Sequence, residues 1–344
     1  MKATKLASNE NPFGPSPKAL AAMRTALAQC HRYPDDRASK LKERLAEFHS
    51  VSAEQIIIGA GLTALLETIA HTFLSPGLNA LTSECSFVMY SIATQASGAM
   101  LRTVPMRQHS FDLRAIAAAV DSSTGLIFIA NPNNPTGTIV TAAQMDEFLT
   151  LIPAHITLVL DEAYYEFAQH FAAKRAVEYS HSLNYVRGGR NVLVLRTFSK
   201  AYGLAGVRVG YAIGPSDLIS RLTRIRTIYS VSSVAQAGAL AALDDEAYAR
   251  KTVENNATES DRVTASLSEL GFPLTATWTN FMYCEIGRDA DELAAKLQNT
   301  GILVCPLSSW GAPNAIRLTI GTPAQNQDFL RTFKKVMAKN GVAH

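Results

Sequence analysis

The 344-residue sequence predicts an α/β fold, in which a large domain with a mostly parallel central sheet is joined to a smaller α+β domain. Between about residues 35 and 245, short β-rich runs alternate with helical patterns. Several of these runs are apolar on both faces, which is typical of parallel strands covered by helices. After Asp244 the alternation ends, and one long polar helical pattern precedes shorter strands. A second domain is therefore predicted.

The large domain is predicted to begin with a buried strand at Ile56–Gly59 and a helix from Leu62 to Phe73, where apolar residues recur at helical spacing. Its further strands are predicted at Gly125–Ala130, Ile156–Asp161, Asn191–Thr197 and Arg208–Ile213. The small domain is predicted to contain helices at Asp245–Leu270, Ala290–Asn299 and Ala324–Ala338 and strands at Asn280–Ile286 and Ala315–Ile320. We expect an N-terminal segment (1–34) that joins the small domain, a large domain (35–245) and a small C-terminal domain (246–344).

The composition argues against several classes of protein. The net charge of +3 is small and the basic residues are scattered, so no nucleic-acid partner is expected. No apolar run approaches the roughly 18–20 residues needed to span a bilayer, and the polar start of the chain leaves no room for a signal-peptide core. We therefore expect a cytoplasmic protein without a membrane partner. The four cysteines lack the spacing of a zinc site or a disulfide framework, and no metal is expected.

An apolar strand leads through Leu195-Arg196-Thr197-Phe198-Ser199 into Lys200, a lysine with hydroxyl residues close by in the sequence. An unpaired buried ammonium is costly, and a Schiff base is one solution because imine formation removes the full ammonium. The alternative is a surface lysine on the loop after a strand. Arg208 follows a glycine-rich stretch, and its guanidinium, together with Thr197 and Ser199, suits a phosphate group. These residues indicate a phosphate ester held beside an imine.

Asp161 ends the strongly apolar run Leu158–Asp161, where a carboxylate without a cationic partner would be costly. A protonated pyridine nitrogen is such a partner, and the pair would keep a cofactor ring an effective electron sink. Tyr164 lies three residues on and would reach the phenolic oxygen of the same ring. The alternatives are a catalytic or metal-binding aspartate of another α/β enzyme, or a helix cap.

The segment Asn131–Gly137 follows a predicted strand and contains two prolines and a glycine. Such a turn, at the carboxyl end of a strand, lies where ligands of open α/β sheets bind. An asparagine held there can donate both to a cofactor oxygen and to a substrate carboxylate. As a turn alone, the segment would mean little.

The segment Gly59–Ala64 matches the dinucleotide fingerprint G-x-G-x-x-A, and Glu84 lies near the distance expected for a ribose contact. A single match of this pattern is weak, because backbone amides at a helix N-terminus also hold a single phosphate. The lysine, aspartate and asparagine motifs have no role in a nicotinamide enzyme. Leu62 and Thr63 are therefore predicted to be phosphate donors.

Six motifs occur in the order found in fold-type-I class I/II aminotransferases. They are Asn9–Pro12, Tyr33-Pro34, Asn131–Gly137, Asp161–Tyr164, Ser199-Lys200 and Arg317–Gly321. The sequence resembles this family over nearly its whole length, and most closely its histidinol-phosphate aminotransferases. The resemblance implies an aspartate-aminotransferase-like fold, pyridoxal 5′-phosphate (PLP) as cofactor, and amino transfer between an L-amino acid and a 2-oxo acid.

The resemblance implies catalytic roles for Lys200, which would form the Schiff base and shuttle the proton, for Asp161 on the ring nitrogen, and for Tyr164 on the ring hydroxyl. The other cofactor contacts that it implies are Leu62, Thr63, Phe87, Asn134, Thr197, Ser199 and Arg208. Arg317 would bind the substrate α-carboxylate, with Asn134 and Asn11 also at the substrate. Tyr33 would reach the phosphate in a partner subunit, which implies a homodimer.

Several departures from the histidinol-phosphate enzymes concern the substrate. Those enzymes carry an arginine after the Gly-Ile-x-Val segment that grips the substrate's phosphate, and Cys305 stands there instead. They also carry a longer N-terminal arm with a tyrosine that contacts this phosphate. Phe87 replaces a ring-stacking tyrosine, and Thr63-Ala64 replaces an acidic pair.

We therefore expect that histidinol phosphate is not the best substrate. Phe87, Tyr229 and Trp310 are aromatic residues that would line an apolar pocket with Cys305, which favours a hydrophobic or aromatic amino acid. The alternative is that these aromatic residues are simply core.

Three rival functions remain beside transamination. A decarboxylase, cyclase or oxidase on the same scaffold would share the first steps, because the outcome depends on which bond of the α-carbon lies perpendicular to the ring. A cofactor-sensing regulator would carry an added DNA-binding module. A nicotinamide oxidoreductase is the least favoured.

Overall fold

The computed structural model describes residues 3–272 and 274–338. These residues form twelve strands, thirteen α-helices and three short 3-10 helices. The strands are β1 (Thr4–Lys5), β2 (Ile56–Gly59), β3 (Asn79–Ser83), β4 (Met100–Val104), β5 (Thr124–Ala130), β6 (Thr157–Asp161), β7 (Val192–Thr197), β8 (Gly210–Ile213), β9 (Phe281–Glu285), β10 (Ile302–Leu303), β11 (Cys305–Pro306) and β12 (Ala315–Thr319).

The α-helices are α1 (Pro17–Leu27), α2 (Ser39–His49), α3 (Gly61–Phe73), α4 (Met89–Ala96), α5 (Leu113–Ala118), α6 (Ala142–Leu151), α7 (Tyr165–Arg175), α8 (Ser182–Arg187), α9 (Ser216–Ile225), α10 (Ser233–Leu243), α11 (Glu246–Glu269), α12 (Ala290–Asn299) and α13 (Pro323–Ala338). The 3-10 helices are Ala53–Gln55, Ala205–Val207 and Ser308–Trp310.

The largest sheet has seven strands in the order β2-β8-β7-β6-β5-β3-β4. All neighbours pair in parallel except β8, which is antiparallel to both β2 and β7. Every residue of β6 and β7 is buried, because helices cover both faces of the sheet. The predicted mostly parallel sheet is confirmed.

Two strands of this sheet, β3 and β4, lie outside the predicted set. β4 is the edge strand, and only one of its five residues is buried, with Met100 65% exposed. An edge strand that faces solvent lacks the continuous apolar run that identifies a buried parallel strand. This explains the weak signal of β4, whereas β3 is buried at all five residues but is polar at three of them, Asn79, Thr82 and Ser83.

The apolar residues form two main cores. The larger core surrounds the seven-stranded sheet. The smaller core is built from α12, α13, the antiparallel strands β9 and β12 and the end of α11. β1 pairs in parallel with β10, and Leu6, 1% exposed, belongs to the smaller core. The two cores agree with a division of the chain near residue 245, which stays a prediction.

The strand register brings the predicted motifs to one edge of the sheet. β5, β6 and β7 are parallel neighbours, and Ala130 pairs with Asp161 at their carboxyl ends. Gly210 pairs with both Thr197 and Gly59. The end of β2, and with it the start of α3, therefore lies at the same edge as the segment that leads to Lys200.

Two features are absent from the described residues. No helix there has both the length and the apolar character required to cross a bilayer. No group of three or more His, Cys, Asp or Glu side chains within residues 3–272 and 274–338 is arranged to hold a metal ion.

Candidate active site

A cavity of about 660 Å³ opens at the carboxyl edge of the large sheet. It is bounded by residues from both cores and by the N-terminal segment. Twelve of the predicted site residues line it: Leu62, Thr63, Phe87, Asn134, Asp161, Tyr164, Thr197, Ser199, Lys200, Arg208, Cys305 and Arg317. Positions more than 250 residues apart in the chain thus contribute to one cavity.

Lys200 lies just beyond β7, and its Nζ is 3.4 Å from the carbonyl oxygen of Ser8. Its Nζ is also 5.6 Å from the centre of the Tyr164 ring. Burial lowers the pKa of this amine to about 8, and the positive charge of Arg317 acts in the same direction. At neutral pH, the fraction of Lys200 in the nucleophilic free-amine form is therefore much larger than for an ordinary lysine.

Asp161 is the last residue of β6 and is 4% exposed. Its Oδ2 accepts a hydrogen bond from the hydroxyl of Tyr90 at 3.0 Å, and its Oδ1 accepts one from the backbone N–H of Ala163 at 3.2 Å. Burial raises the pKa of this carboxyl to about 6, against the opposing effect of the Tyr90 hydrogen bond. Both donors are neutral, so the buried carboxylate keeps the capacity for a cationic ligand.

Tyr90 is a site residue that the sequence prediction missed. It lines the cavity, is 1% exposed and stacks on Phe128 with ring centres 4.9 Å apart. It lies three residues after Phe87 and packs edge-on against it. This spacing at the start of α4 is a weak signal that helical periodicity alone does not separate from ordinary core packing.

One end of the cavity carries a donor set suited to phosphate. Arg208 has a φ of +57°, and its Nη1 donates to the carbonyl oxygen of Ala205 at 3.0 Å and lies 3.5 Å from the Oγ of Ser199. The hydroxyl of Thr197 donates to Ser199 Oγ at 3.0 Å. A guanidinium beside two hydroxyls is a common arrangement for binding a phosphate dianion.

The N-terminus of α3 completes this donor set. Its cap residue, Ala60, makes no side-chain capping hydrogen bond, so the first amides of the helix have no local partner from that cap. Leu62 and Thr63 line the cavity there. Gly61 has a φ of +78°, and a Cβ at this position would lie only 2.3 Å from Nη2 of Arg208. Glycine therefore lets the guanidinium approach the helix N-terminus, where anions bind.

Arg317 projects from β12 and is 7% exposed. Its Nη1 donates to Oδ1 of Asn134 at 2.5 Å, and its Nη2 donates to the carbonyl oxygen of Ala7 at 2.8 Å. Its buried Nε has no hydrogen-bond partner among the described residues. The guanidinium is thus held by neutral acceptors and keeps its full charge available for an anionic ligand.

Tyr164 is 4% exposed and packs edge-on against Phe281, with ring centres 5.2 Å apart. Burial raises the pKa of its hydroxyl to about 12, so the group keeps its proton at neutral pH. Its oxygen accepts a hydrogen bond at 2.9 Å from Nδ2 of Asn9, which also lines the cavity.

Three predicted site residues lie outside this cavity. Asn11 donates from Nδ2 to the carbonyl oxygen of Ala201 and to the hydroxyl of Thr252, so its amide links chain segments behind the site. Tyr33, 82% exposed, packs on the ring of Tyr229 with centres 4.8 Å apart. The single chain therefore brings Asn9, two residues earlier, to the cavity in place of Asn11, and it does not bring Tyr33 or Tyr229 there.

The residues at the cavity fit PLP. A partly buried lysine of lowered pKa suits an aldehyde, a buried carboxylate suits a protonated pyridine nitrogen, and the donor set at α3 suits the phosphate. Arg317 adds a cation whose buried Nε is unpartnered within the described part of the chain. With the sheet topology, this set of groups defines a PLP-dependent enzyme of fold type I.

Comparison with known proteins identifies the family. The model of the family "Aminotransferase class I and II" matches residues 2–333, and the chain belongs to this family. It is 44% identical over 335 residues to histidinol-phosphate aminotransferase 2 of Pseudomonas fluorescens strain Pf-5, a match that covers 97% of this chain and 89% of that protein. It is 42% identical to histidinol-phosphate aminotransferase of Moorella thermoacetica, over 97% of this chain and 85% of that protein.

A solved structure agrees with this assignment. The complex of histidinol-phosphate aminotransferase from Sinorhizobium meliloti with pyridoxal-5′-phosphate has a TM-score of 0.91 and 29% identity, and the match covers 99% of this chain and 92% of that one. The predicted fold, cofactor and enzyme class are confirmed: the chain is a PLP-dependent aminotransferase.

Proposed function

We propose that this aminotransferase acts on L-amino acids with uncharged, apolar or aromatic side chains, and that histidinol phosphate is not its best substrate. The observation that carries the proposal is the position of Cys305. In the pairing of β11 with β12, Cys305 lies directly opposite Arg317, and opposite residues of an antiparallel pair project from the same face. Both line the cavity.

The residue at position 305 is thus a wall of the substrate end of the cavity. Val304, Pro306 and Trp310 line the cavity beside it, and the Trp310 ring centre is 5.6 Å from Cζ of Arg317. These groups are apolar, and the cationic side chains that line the cavity from the described residues are Lys200, Arg208 and Arg317. The first two face the cofactor in our proposal, which leaves Arg317 for the substrate.

Loss of a charged donor to a dianion costs about 2–5 kcal/mol when the other partner stays buried, or some thirtyfold or more in affinity. A substrate phosphate would bear this cost at Cys305. An amino-acid substrate avoids it, because its α-carboxylate pairs with Arg317 and its side chain needs no cation. Apolar side chains would gain from contact with Trp310 and Phe87.

The cofactor, when bound, supplies an electron sink that stabilises negative charge at the substrate's α-carbon. We propose that Lys200 would hold it covalently between turnovers and that the freed amine would take the proton from the α-carbon and give it up again as the amino group is transferred. Asp161 would keep a proton on the ring nitrogen. Tyr164 and Asn134 would donate to the ring hydroxyl oxygen, and Arg317 would orient the substrate carboxylate. A second half-reaction with a 2-oxo acid completes the transfer.

The remaining cavity residues would anchor and orient the cofactor. Phe87 would pack on the ring, without the hydrogen bond that a tyrosine hydroxyl would add at this position. The phosphate would be held by the side chains and helix amides at the α3 end of the cavity, at Leu62, Thr63, Thr197, Ser199 and Arg208. Fixing the phosphate fixes the ring relative to Lys200, which is how such contacts contribute to rate.

A second candidate substrate is histidinol phosphate itself. It is the substrate in the names of relatives 44% identical to this chain. Histidinol phosphate has no carboxylate, so Arg317, with its buried unpartnered Nε in the described structure, would be available to its phosphate. The two candidates differ in what Arg317 binds and in whether position 305 matters.

The first test compares kcat/KM for histidinol phosphate with kcat/KM for phenylalanine, tyrosine and leucine, each with 2-oxoglutarate as acceptor. We expect an amino acid to be preferred. Cys305→Arg should raise the ratio of kcat/KM for histidinol phosphate to that for the best amino acid by about tenfold or more, or about 1.4 kcal/mol. The control Cys305→Ser, which adds no charge, should leave the ratio near that of the unmodified enzyme.

If the unmodified enzyme has a kcat/KM for histidinol phosphate that is about tenfold or more above that for the best amino acid, the proposal is contradicted and the second candidate is favoured. An unchanged ratio in Cys305→Arg would show that this side chain does not face the substrate.

We also propose that the enzyme is a homodimer in which Tyr33 completes the partner's phosphate site. Tyr33 and Tyr229 form an exposed aromatic pair, and the nearby Ile225 and Ile228 are 50% and 64% exposed. Exposed apolar groups of this kind are typical of protein interfaces. A phenol that is 82% exposed in one chain would be buried in such an interface.

Mixed dimers test the shared site. Lys200→Ala chains supply an intact Tyr33, and Tyr33→Ala chains supply an intact Lys200. Refolding an equal mixture should yield about half hybrid dimers, each with one complete site, and so about a quarter of the activity of the unmodified enzyme. Activity no greater than the sum of the two separate variants, or a fully active monomer in light scattering, would contradict this proposal.

A further inference from the structure

The N-terminal segment crosses the cavity as a strap, defined here as residues 6–10. Its backbone carbonyls contact two of the three cationic side chains that line the cavity from the described residues: Ala7 accepts from Arg317 at 2.8 Å, and Ser8 accepts from Lys200 at 3.4 Å. Both contacts use the backbone of the strap. Asn9 is the residue of the strap whose side chain contacts a predicted catalytic group, Tyr164.

Asn9 is 1% exposed and has a φ of +55°, a conformation that asparagine tolerates better than most residues. Its backbone N–H donates to Oγ1 of Thr319 at 2.9 Å, and its carbonyl oxygen accepts from Nδ2 of Asn280 at 3.0 Å. Its Oδ1 accepts from the hydroxyl of Thr319 at 3.0 Å, and its Nδ2 donates to the hydroxyl of Tyr164 at 2.9 Å. These four hydrogen bonds fix both the backbone and the side-chain amide of Asn9.

Thr319 determines which way the Asn9 amide faces. Its hydroxyl oxygen already accepts the N–H of Asn9, and its single hydroxyl proton is donated to the Asn9 Oδ1. The amide oxygen is therefore directed at Thr319 and the NH₂ group at Tyr164. The hydroxyl oxygen of Tyr164 is an acceptor in this contact, so its one proton is free to point elsewhere. Tyr164 lines the cavity in which the cofactor would bind.

We infer that Asn9 is a positioning residue that directs the Tyr164 proton toward the cofactor's ring oxygen. This inference rests on the proposed role of Tyr164 as a donor to that oxygen. An acceptor in place of the Asn9 NH₂ would compete for the same proton, and Tyr164 would then turn its lone pairs, not its proton, toward the cofactor.

A donor at the ring oxygen stabilises negative charge there, and this should be visible in the absorption spectrum of the bound cofactor. That stabilisation matters most when the adjacent nitrogen of the lysine–cofactor linkage has lost its proton. Weakening the donor should therefore raise the pH midpoint of the absorption change of the bound cofactor. The other charged groups that line the cavity and act on this midpoint are Glu10, Asp161, Arg208 and Arg317, and none of them is altered in the variants below.

The test is a pH titration of the absorption of the holoenzyme, without substrate. Tyr164→Phe should raise the midpoint by about one pH unit, the size expected when a hydrogen bond to a charged oxygen is lost. Asn9→Asp, which has nearly the same shape but accepts instead of donating, should raise it by at least as much. In the Tyr164→Phe background, Asn9→Asp should add less than half of that shift, since only its through-space charge remains.

A pair of uncharged variants separates this effect from the added carboxylate. Thr319→Val removes the hydroxyl that orients the Asn9 amide and should raise the midpoint, and Thr319→Ser, which keeps the hydroxyl, should restore it. If Asn9→Asp yields no folded holoenzyme, the comparison of Thr319→Val with Thr319→Ser is sufficient to test the inference.

The outcomes distinguish the proposed role of Tyr164 from the inferred role of Asn9. A midpoint unchanged in Tyr164→Phe would overturn the proposed role of Tyr164. A shift in Tyr164→Phe without one in Asn9→Asp, or an Asn9→Asp shift of equal size with and without the Tyr164 hydroxyl, would overturn the inference about Asn9 alone. The substrate proposal is not involved, because no substrate is present.

Discussion

Replacing Lys200 with alanine should lower kcat by about a thousandfold or more, because the variant loses the group that moves the proton at the substrate's α-carbon. The chain should still bind PLP through the phosphate donors near Arg208. Borohydride treatment of the unmodified holoenzyme should fix the cofactor to the peptide that contains Lys200. Peptide mass mapping measures this directly.

Lys200→Arg is the matched control for this prediction. It keeps a positive charge near Ser8 and Arg317 but removes the nucleophilic amine, because a guanidinium stays protonated in proteins. A loss comparable to that of Lys200→Ala would assign the effect to the amine and not to the charge. An unmodified Lys200 after reduction, with the cofactor on another residue, would overturn the assignment.

Replacing Asp161 with asparagine should lower kcat by about a hundredfold or more, with a much smaller change in KM. The asparagine keeps the shape and can still accept from Tyr90, but it cannot act as a counter-ion to a protonated ring nitrogen. The cofactor would then be a weaker electron sink in the transition state, and ground-state binding would change little. Steady-state kinetics measure the split, and near-normal turnover would contradict the proposed role.

The same variant should not weaken the cofactor-free fold. Burial raises the pKa of Asp161 from 3.8 to about 6, so near pH 7 the folded state carries a carboxylate that would be better solvated in the unfolded chain. This unfavourable contribution is largest well above the folded pKa of about 6 and is lost as the pH falls from there toward the unfolded value of 3.8, below which the carboxyl is protonated in both states. The melting temperature of the cofactor-free Asp161→Asn variant should therefore exceed that of the unmodified chain at pH 7, and the difference should shrink steadily as the pH is lowered from 6 toward 4.

The combination of a higher melting temperature with a large loss of turnover would separate a functional role from a structural one. A lower melting temperature at pH 7 would mean that Asp161 is needed for folding, and the kinetic loss could not then be assigned to the ring nitrogen.

Much of the site could be predicted from the sequence because it lies at the ends of parallel strands. Lys200, Asp161 and Asn134 each follow an apolar run, and the carboxyl ends of parallel neighbours meet at one edge of a sheet. Chain order and apolar pattern therefore sufficed to expect that these three residues share a cavity, and they do line one. Five of the seven strands of the large sheet were predicted from their apolar runs, while the exposed edge strand β4 and the buried but partly polar strand β3 were not.

The contacts that hold these groups in place depend on residues far apart in the chain. Tyr90 is 71 positions from Asp161, and Asn9 is 155 positions from Tyr164. Neither pairing has a local sequence pattern, since both require the packing of separate segments. The prediction assigned Asn11 to the substrate; in the structure its amide donates to Ala201 and Thr252, and Asn9 is the asparagine of this segment that lines the cavity.

Periodicity and motifs were sufficient to predict most strands of the large sheet, the chemical types at the strand ends and the family resemblance. Tertiary structure alone decided which of two neighbouring asparagines faces the cavity, how far burial shifts the pKa of Lys200 and Asp161, and that Cys305 lies opposite Arg317. The physical reason is that strand and helix patterns arise from periodicities of a few residues. Desolvation and hydrogen-bond direction arise from neighbours that only the folded chain brings together.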